Sequence, residues 1–134
     1  KNKKYLRTKI RDLEKPLKQS GIDYDQVIKS INNLASSKAT LDEYFNKIFR
    51  DTVQKLKNKI LINLSKFNCF NEEIKMMVIN KAIKSLKKNY YNSRSKKVIN
   101  LIKEIKSHKY SKSTLGGCII SRKGNILHLV KEKK

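Results

Sequence analysis

The fold class of this chain depends on residues 116–130, whose sequence is GGCIISRKGNILHLV. Two apolar runs flank a turn-forming segment, Arg122-Lys123-Gly124-Asn125, which is typical of a small β-hairpin. The stretch is equally compatible with a last short helix over residues 115–121. The Gly pair at 116 and 117 would weaken that helix by about 1 kcal/mol per Gly relative to Ala. The sequence leaves both alternatives open.

Apolar residues recur at helical intervals through the rest of the chain. Leu6, Ile10, Leu13 and Leu17 follow one another at steps of four, three and four, and a longer series runs from Leu41 to Phe67. Helix starts are marked by Asp23 and Asn71 as N-caps and by a capping box, Thr40 with Glu43. We therefore predict an all-α fold, with a short C-terminal β-hairpin as the open alternative.

The ends of these helices look alike in three places. Each has two apolar residues four apart, then a large apolar or aromatic residue, then a capping residue. The three sets are Leu13, Leu17, Ile22 and Asp23; Ile60, Leu64, Phe70 and Asn71; and Leu101, Ile105, Tyr110 and Ser111. A small three-helix unit buries too little surface alone, so neighbouring units must stack. We predict tandem three-helix repeats over residues 1–39, 40–86 and 87–134, forming an elongated curved array.

This repeat resembles the RecX family of RecA-recombinase regulators. The similar segments are the corner Gly21-Ile22-Asp23, the element Leu41-Asp42-Glu43-Tyr44-Phe45, the Lys-rich lead from Leu86 to Tyr91, and the segment from Lys96 to Ile105. The resemblance as a whole covers about residues 6–115. The Gly of the family's corner is replaced at Cys69-Phe70-Asn71 and at Lys109-Tyr110-Ser111. The resemblance implies a non-enzymatic regulator that lies in the groove of the RecA–DNA filament and touches single-stranded DNA.

Charge gives an independent indication of a polyanionic partner. The net charge is +22, from 33 Lys and Arg against 11 Asp and Glu. Residues 1–51 hold 12 basic and 7 acidic residues, a net +5, whereas residues 52–134 hold 21 basic and 4 acidic residues, a net +17. Clustered basic charge favours a nucleic-acid or acidic-protein surface in the second half. The alternative is a solvated face that reflects a Lys-rich composition.

The expected contact surface is a strip of lysines with aromatic neighbours. Lysine rather than arginine indicates attraction to the backbone more than reading of bases, and exposed tyrosines can stack on unpaired bases. The candidates are Lys81, Lys84, Lys87, Lys88, Tyr91, Arg94, Lys96, Lys97, Lys103 and Lys106. Tyr90 and Tyr110 are interpreted as plugs of helix corners instead. Rival hypotheses are an RNA-binding protein of a ribosome or other ribonucleoprotein, a winged helix over residues 98–130 that binds duplex DNA, and a helical scaffold subunit.

Catalysis, metals and membranes are not expected from this sequence. His108, His128, Cys69 and Cys118 are scattered without ligand or acid–base spacing, and no Gly-rich phosphate loop is present. We predict no enzyme activity, no cofactor, no metal and no small-molecule substrate. Two isolated cysteines fit a reducing cytoplasm, and no apolar run reaches the about 18 residues of a membrane span. Because the chain begins at Lys1 rather than Met, we expect a preceding N-terminal segment.

Overall fold

The computed structural model describes residues 6–91, 96–107 and 109–132. Within these ranges, five helices and five strands follow in the order α1 (Leu6–Gln19), α2 (Tyr24–Thr52), β1 (Val53–Lys55), β2 (Lys59–Asn63), α3 (Leu64–Asn68), α4 (Glu72–Leu86), α5 (Lys96–Lys106), β3 (Lys112–Leu115), β4 (Cys118–Lys123) and β5 (Ile126–Lys131). The chain divides into two units between Tyr44 and Phe45. The predicted repeat boundary at residues 39 and 40 lies inside α2.

The first unit holds α1 and most of α2. A tight turn joins them at Gly21, whose φ of 79° lies in the left-handed region that favours glycine. The amide of Ile22 donates to the carbonyl of Leu17 at 3.0 Å, which closes the C-terminus of α1. Asp23 then caps α2 as predicted, since its carboxylate accepts from the amide of Asp25 at 3.2 Å.

The second unit is built on a five-stranded antiparallel sheet in the order β1-β2-β5-β4-β3. Its central strand β5 pairs with β2 through Ile60 opposite Leu129, and with β4 through Ile120 opposite Leu129. These three side chains point to one face and are buried. The alternation along each strand places Leu61 and His128 on the opposite face, where they are half-buried.

Helices α3, α4 and α5 cover the buried face of the sheet. Helix α4 packs on β2 and β5, α3 on β2, and α5 on β3 and α4. The core between these layers contains Phe67, Val78, Ile79, Ala82, Ile83, Val98, Ile102 and Ile105, together with the inward side chains of β2, β4 and β5. One continuous core therefore fixes the helices on the sheet.

The all-α prediction is wrong, and with it the array of tandem three-helix repeats. The spacing of Val53, Ile60, Leu64 and Phe67 fits a helix, but α2 ends at Thr52 and the chain turns back into β2. Within β2 the buried residues Ile60 and Ile62 alternate with Leu61, and their partners lie about 65 residues away on β5. Non-local pairing of this kind overrides the local helical spacing.

Two further expectations about helix starts have opposite outcomes. The Asn71 cap is confirmed, because its side-chain oxygen accepts from the amide of Ile74 at 2.9 Å. The start predicted at Thr40 is wrong, because α2 runs through this residue without interruption. The Thr40 hydroxyl donates to the carbonyl of Ser36 at 3.2 Å, an ordinary bond within a helix.

The open alternative at residues 116–130 is resolved as strands. Gly116 and Gly117, with φ of 61° and 73°, form the two-residue turn between β3 and β4. Gly124, with φ of 58°, and Asn125 form the turn between β4 and β5. The third predicted corner consequently leads from Tyr110 into strand β3, and a helix does not follow it.

Candidate nucleic-acid interface

Helix α5 presents lysines on the side that faces away from the core. Val98, Leu101, Ile102 and Ile105 recur at steps of three, one and three, and all four are buried. The predicted lysines of this helix lie outside the core and are exposed: Lys96, Lys97, Lys103 and Lys106. Glu104 is the acidic residue of this helix. The spacing of the apolar residues therefore orients a predominantly basic face toward solvent.

Arg122 of strand β4 attaches the C-terminal end of α5 to the β4–β5 hairpin. Its Nη1 donates to the carbonyl of Ile105 at 3.0 Å and to that of Ser107 at 3.4 Å. Its Nε donates to the carbonyl of Gly124 at 3.1 Å. A cation at a helix C-terminus also opposes the partial negative charge of the last carbonyls. Arg122 was not among the predicted site residues, since its role depends on a helix 17 residues away in sequence.

Tyr110 provides a second attachment between the segment after α5 and the sheet. Its hydroxyl donates to the carbonyl of Ile120 at 3.0 Å and lies 2.8 Å from the hydroxyl of Ser113. Burial raises the pKa of Tyr110, so the phenol remains protonated and able to donate. Helix α5 is thus held at its C-terminal end by two polar side chains as well as by its apolar face.

The lysines of α4 do not form one strip as predicted. Lys81 is half-buried, and its ammonium lies 5.1 Å from the ring centre of Phe45 and 4.8 Å from that of Phe49. It also donates to the side-chain oxygen of Asn46. Its charge is therefore engaged within the protein by the last turns of α2. Lys84 remains exposed in the last turn of α4.

Lys87 and Lys88 follow α4, and the side chain of Lys87 lies near the β3–β4 turn. The Lys87 amide donates to the carbonyl of Ile83 at 2.8 Å and closes α4. The Lys87 ammonium lies beside Gly117, where an added Cβ would come within 2.6 Å of its Nζ. Lys88 is exposed. The predicted lysines thus divide into an α5 group and a group at the end of α4.

The predicted aromatic and arginine contacts have different environments. Tyr91 is 91% exposed, so its ring is available for stacking. Tyr90 is half-buried against the core, and its hydroxyl donates to the side chain of Asn80 at 2.8 Å. Arg94 lies outside the described residues.

Lys75 is a buried cation that sequence reasoning missed. It is 5% exposed, and its ammonium lies 5.9 Å from the ring centre of Phe67. Desolvation lowers the pKa of Lys75, and the charge of Lys106 on α5 lowers it further. Lys75 precedes Ile79 and Ile83 at steps of four on α4. This spacing alone could have indicated from the sequence that Lys75 lies on the buried face.

Residues with catalytic potential lie apart from one another. Within the described ranges, no group of three or more His, Cys, Asp or Glu side chains is placed to hold a metal ion. Cys69 is an exposed free thiol and Cys118 a buried one. His128 lies on the sheet face opposite the helices, and its pKa is lowered by burial and by the charges of Lys123 and Lys59. None of the helices in the described part of the chain combines the length and the apolar character needed to cross a membrane.

No protein-family model matches the sequence, and no curated protein matches it.

Proposed function

We propose that the second unit binds duplex DNA through the lysine-bearing face of α5, in the manner of a winged-helix protein. The observation that carries the proposal is the arrangement of α5 itself. Four exposed lysines lie on a helix whose opposite face is buried and whose C-terminal end is held to a hairpin by Arg122 and Tyr110. A rigidly held basic helix is the kind of element that enters the major groove.

The connectivity of the second unit supports this comparison. Apart from the short elements β1, α3 and β3, a helix end, a strand, two helices and a two-stranded hairpin follow in the order α2, β2, α4, α5, β4 and β5. The first of these strands pairs with the last, giving the sheet order β2-β5-β4. A winged-helix domain has this order of elements, with α5 in the position of the recognition helix. The comparison is one of fold topology, so the argument for function rests on the side chains of α5.

The charge distribution along α5 also favours an anionic ligand. The first turn contains Lys96 and Lys97 and no acidic residue, although a helix N-terminus carries a partial positive charge. Both lysines therefore lie in an unfavourable electrostatic position in the free protein. A phosphate group at this end would interact favourably with the lysines and with the amide dipoles of the first turn.

The hairpin tip is a weaker candidate for contact than α5. The side-chain amide of Asn125 donates to the hydroxyl of Ser65, and the Asn125 carbonyl accepts from the amide of Leu64 at 2.9 Å. The tip is thereby held against the start of α3. We expect α5 to make most of the phosphate contacts. Because its cations are lysines, the expected binding depends on the backbone more than on base sequence.

Binding to a RecA filament and binding to RNA remain predictions. Each is tested with its own ligand beside duplex DNA. Fluorescence anisotropy compares one labelled duplex DNA, the matching single strand, an RNA hairpin of the same length, and a RecA filament on single-stranded DNA. We expect the duplex to bind most tightly. A clear preference for the RNA hairpin or for the filament would overturn the duplex assignment.

The two free thiols support the further proposal of a reducing compartment such as the cytoplasm.

A variant test assigns the contact to α5. Changing Lys96, Lys97, Lys103 and Lys106 to Gln removes four cations. If all four contact phosphates, the plot of log affinity against log salt concentration becomes less steep by about 3.6. At about 0.1 M salt this corresponds to a loss of affinity on the order of a thousandfold. The control changes four exposed lysines elsewhere, Lys15, Lys29, Lys47 and Lys57, and removes the same net charge. Equal losses in the two variants would refute a specific role for α5.

A further inference from the structure

Helix α2 carries an apolar stripe that its own unit leaves uncovered. The stripe consists of Tyr24, Val27, Ile31, Leu34, Lys38 and Leu41, hereafter the α2 seam, whose members follow at alternating steps of three and four. Ile31 is 57% exposed, Leu34 70% and Leu41 64%. The same spacing continues through Phe45 and Ile48, which are buried in the second unit. The apolar stripe of this uninterrupted helix is therefore buried at Phe45 and Ile48, whereas Ile31, Leu34 and Leu41 of the seam are exposed.

Alternating steps of three and four are the spacing by which two helices pack along their length. The α2 seam follows this spacing over residues 24–41, with Lys38 as its polar member, and Ile28, Ala35 and Tyr44 widen the apolar surface beside it. A single polar residue in such a seam is a known way to set the register of two paired helices at some loss of stability.

The residues beside the seam indicate which kind of helix can pair with it. The flanking positions hold Ile28, Ser30, Ala35, Ser37, Asp42 and Tyr44. None is Lys or Arg, although the whole chain carries a charge of +22. An acidic partner helix would find no Lys or Arg to pair with at these flanking positions. When two copies of α2 pair, no flanking lysines or arginines repel one another.

We propose that the α2 seam is a self-association surface, on which the chain pairs with a second copy of itself through residues 24–41. The free seam spans fewer than three heptads, so the dimer is weak, with a dissociation constant in the micromolar range. Pairing brings two basic chains together, so raising the salt concentration strengthens the dimer by screening their repulsion. Nucleic-acid binding has the opposite salt dependence, and this separates the present proposal from that of the preceding subsection.

Sedimentation equilibrium of the nuclease-treated full chain tests the proposal, with protein concentrations reaching the submillimolar range at two salt concentrations. Changing Leu34 to Glu introduces a charge on the seam of both copies, and the dissociation constant rises more than about a hundredfold. The matched control is Ser36→Glu, which adds the same charge to the outward side of the same helix turn. It changes the constant by less than about threefold, in keeping with an exposed substitution.

A variant that strengthens association shows that the weaker dimer of Leu34→Glu does not result from loss of folding. Changing Lys38 to Ile completes the apolar seam, and the dimer tightens about tenfold or more. A monomer at every concentration and salt would overturn the proposal. So would an unchanged constant in Leu34→Glu, or association that disappears on nuclease treatment. Circular dichroism of each variant confirms that the helical content is retained.

Discussion

Replacing Arg122 by Leu tests whether the contact between α5 and the hairpin stabilises the second unit. The substitution removes a bond of 3.0 Å to the Ile105 carbonyl and one of 3.1 Å to the Gly124 carbonyl. A hydrogen bond from a charged donor contributes about 1.5–3 kcal/mol when buried, and the half-buried position of Arg122 places the pair at about 2 kcal/mol together. The loss of a cation at a helix C-terminus adds about 0.5 kcal/mol.

We therefore expect the free energy of unfolding to fall by about 2–3 kcal/mol, with a decrease in Tm of about 10 °C or more. Urea denaturation followed by circular dichroism measures the change. Arg122→Lys keeps the charge but cannot make both bonds at once, so its loss is about half as large. Lys123→Leu removes a neighbouring exposed charge and changes the stability by less than about 0.5 kcal/mol. If Arg122→Leu and Lys123→Leu unfold at the same urea concentration, the attachment does not stabilise the fold.

Two further predictions concern the sheet. Gly116→Ala lowers the free energy of unfolding by about 3 kcal/mol, because φ is 61° and the new Cβ would lie 2.5 Å from Tyr90 Cε2. Gly124 has a similar φ but open space around it, so Gly124→Ala lowers the free energy of unfolding by only about 1–2 kcal/mol in the same denaturation assay. Equal losses would show that Tyr90 does not pack against the turn. The pKa of His128 is lowered from 6.5 by burial and by Lys123 and Lys59, so the unfolded chain binds a proton more readily and stability falls as the pH drops below about 6.5. His128→Gln should weaken this pH dependence, and an unchanged dependence between neutral pH and pH about 5 would contradict the assignment.

The sequence predicted the helices that are determined by local interactions. Asp23 and Asn71 cap helices because a short polar side chain can reach amides two or three residues ahead. The apolar spacing of residues 98–105 placed one face of α5 in the core and its lysines outside. The α5 part of the candidate site was thereby available from the sequence, because a helix with one apolar face has only one side left for its charges.

Sequence reasoning failed where the partner of a residue lies far away along the chain. The apolar residues between Val53 and Phe67 fit a helix, yet Ile60 and Ile62 pair with strand β5 near the C-terminus. Lys81 was assigned to an exposed strip, but two phenylalanines of α2 lie beside its ammonium. In both cases the local spacing is compatible with the wrong structure, and only distant contacts distinguish the two.

The sequence by itself determined the excess of positive charge after residue 51, the caps of two helices, and the outward face of α5, because composition and short-range hydrogen bonds do not depend on the rest of the fold. The tertiary structure decided that the chain contains a five-stranded sheet and that Arg122 holds the end of α5. It also decided which lysines remain in solvent and which, like Lys75 and Lys81, pack against aromatic rings. The physical reason is that strand pairing and burial arise between segments tens of residues apart, where short-range apolar spacing carries no information.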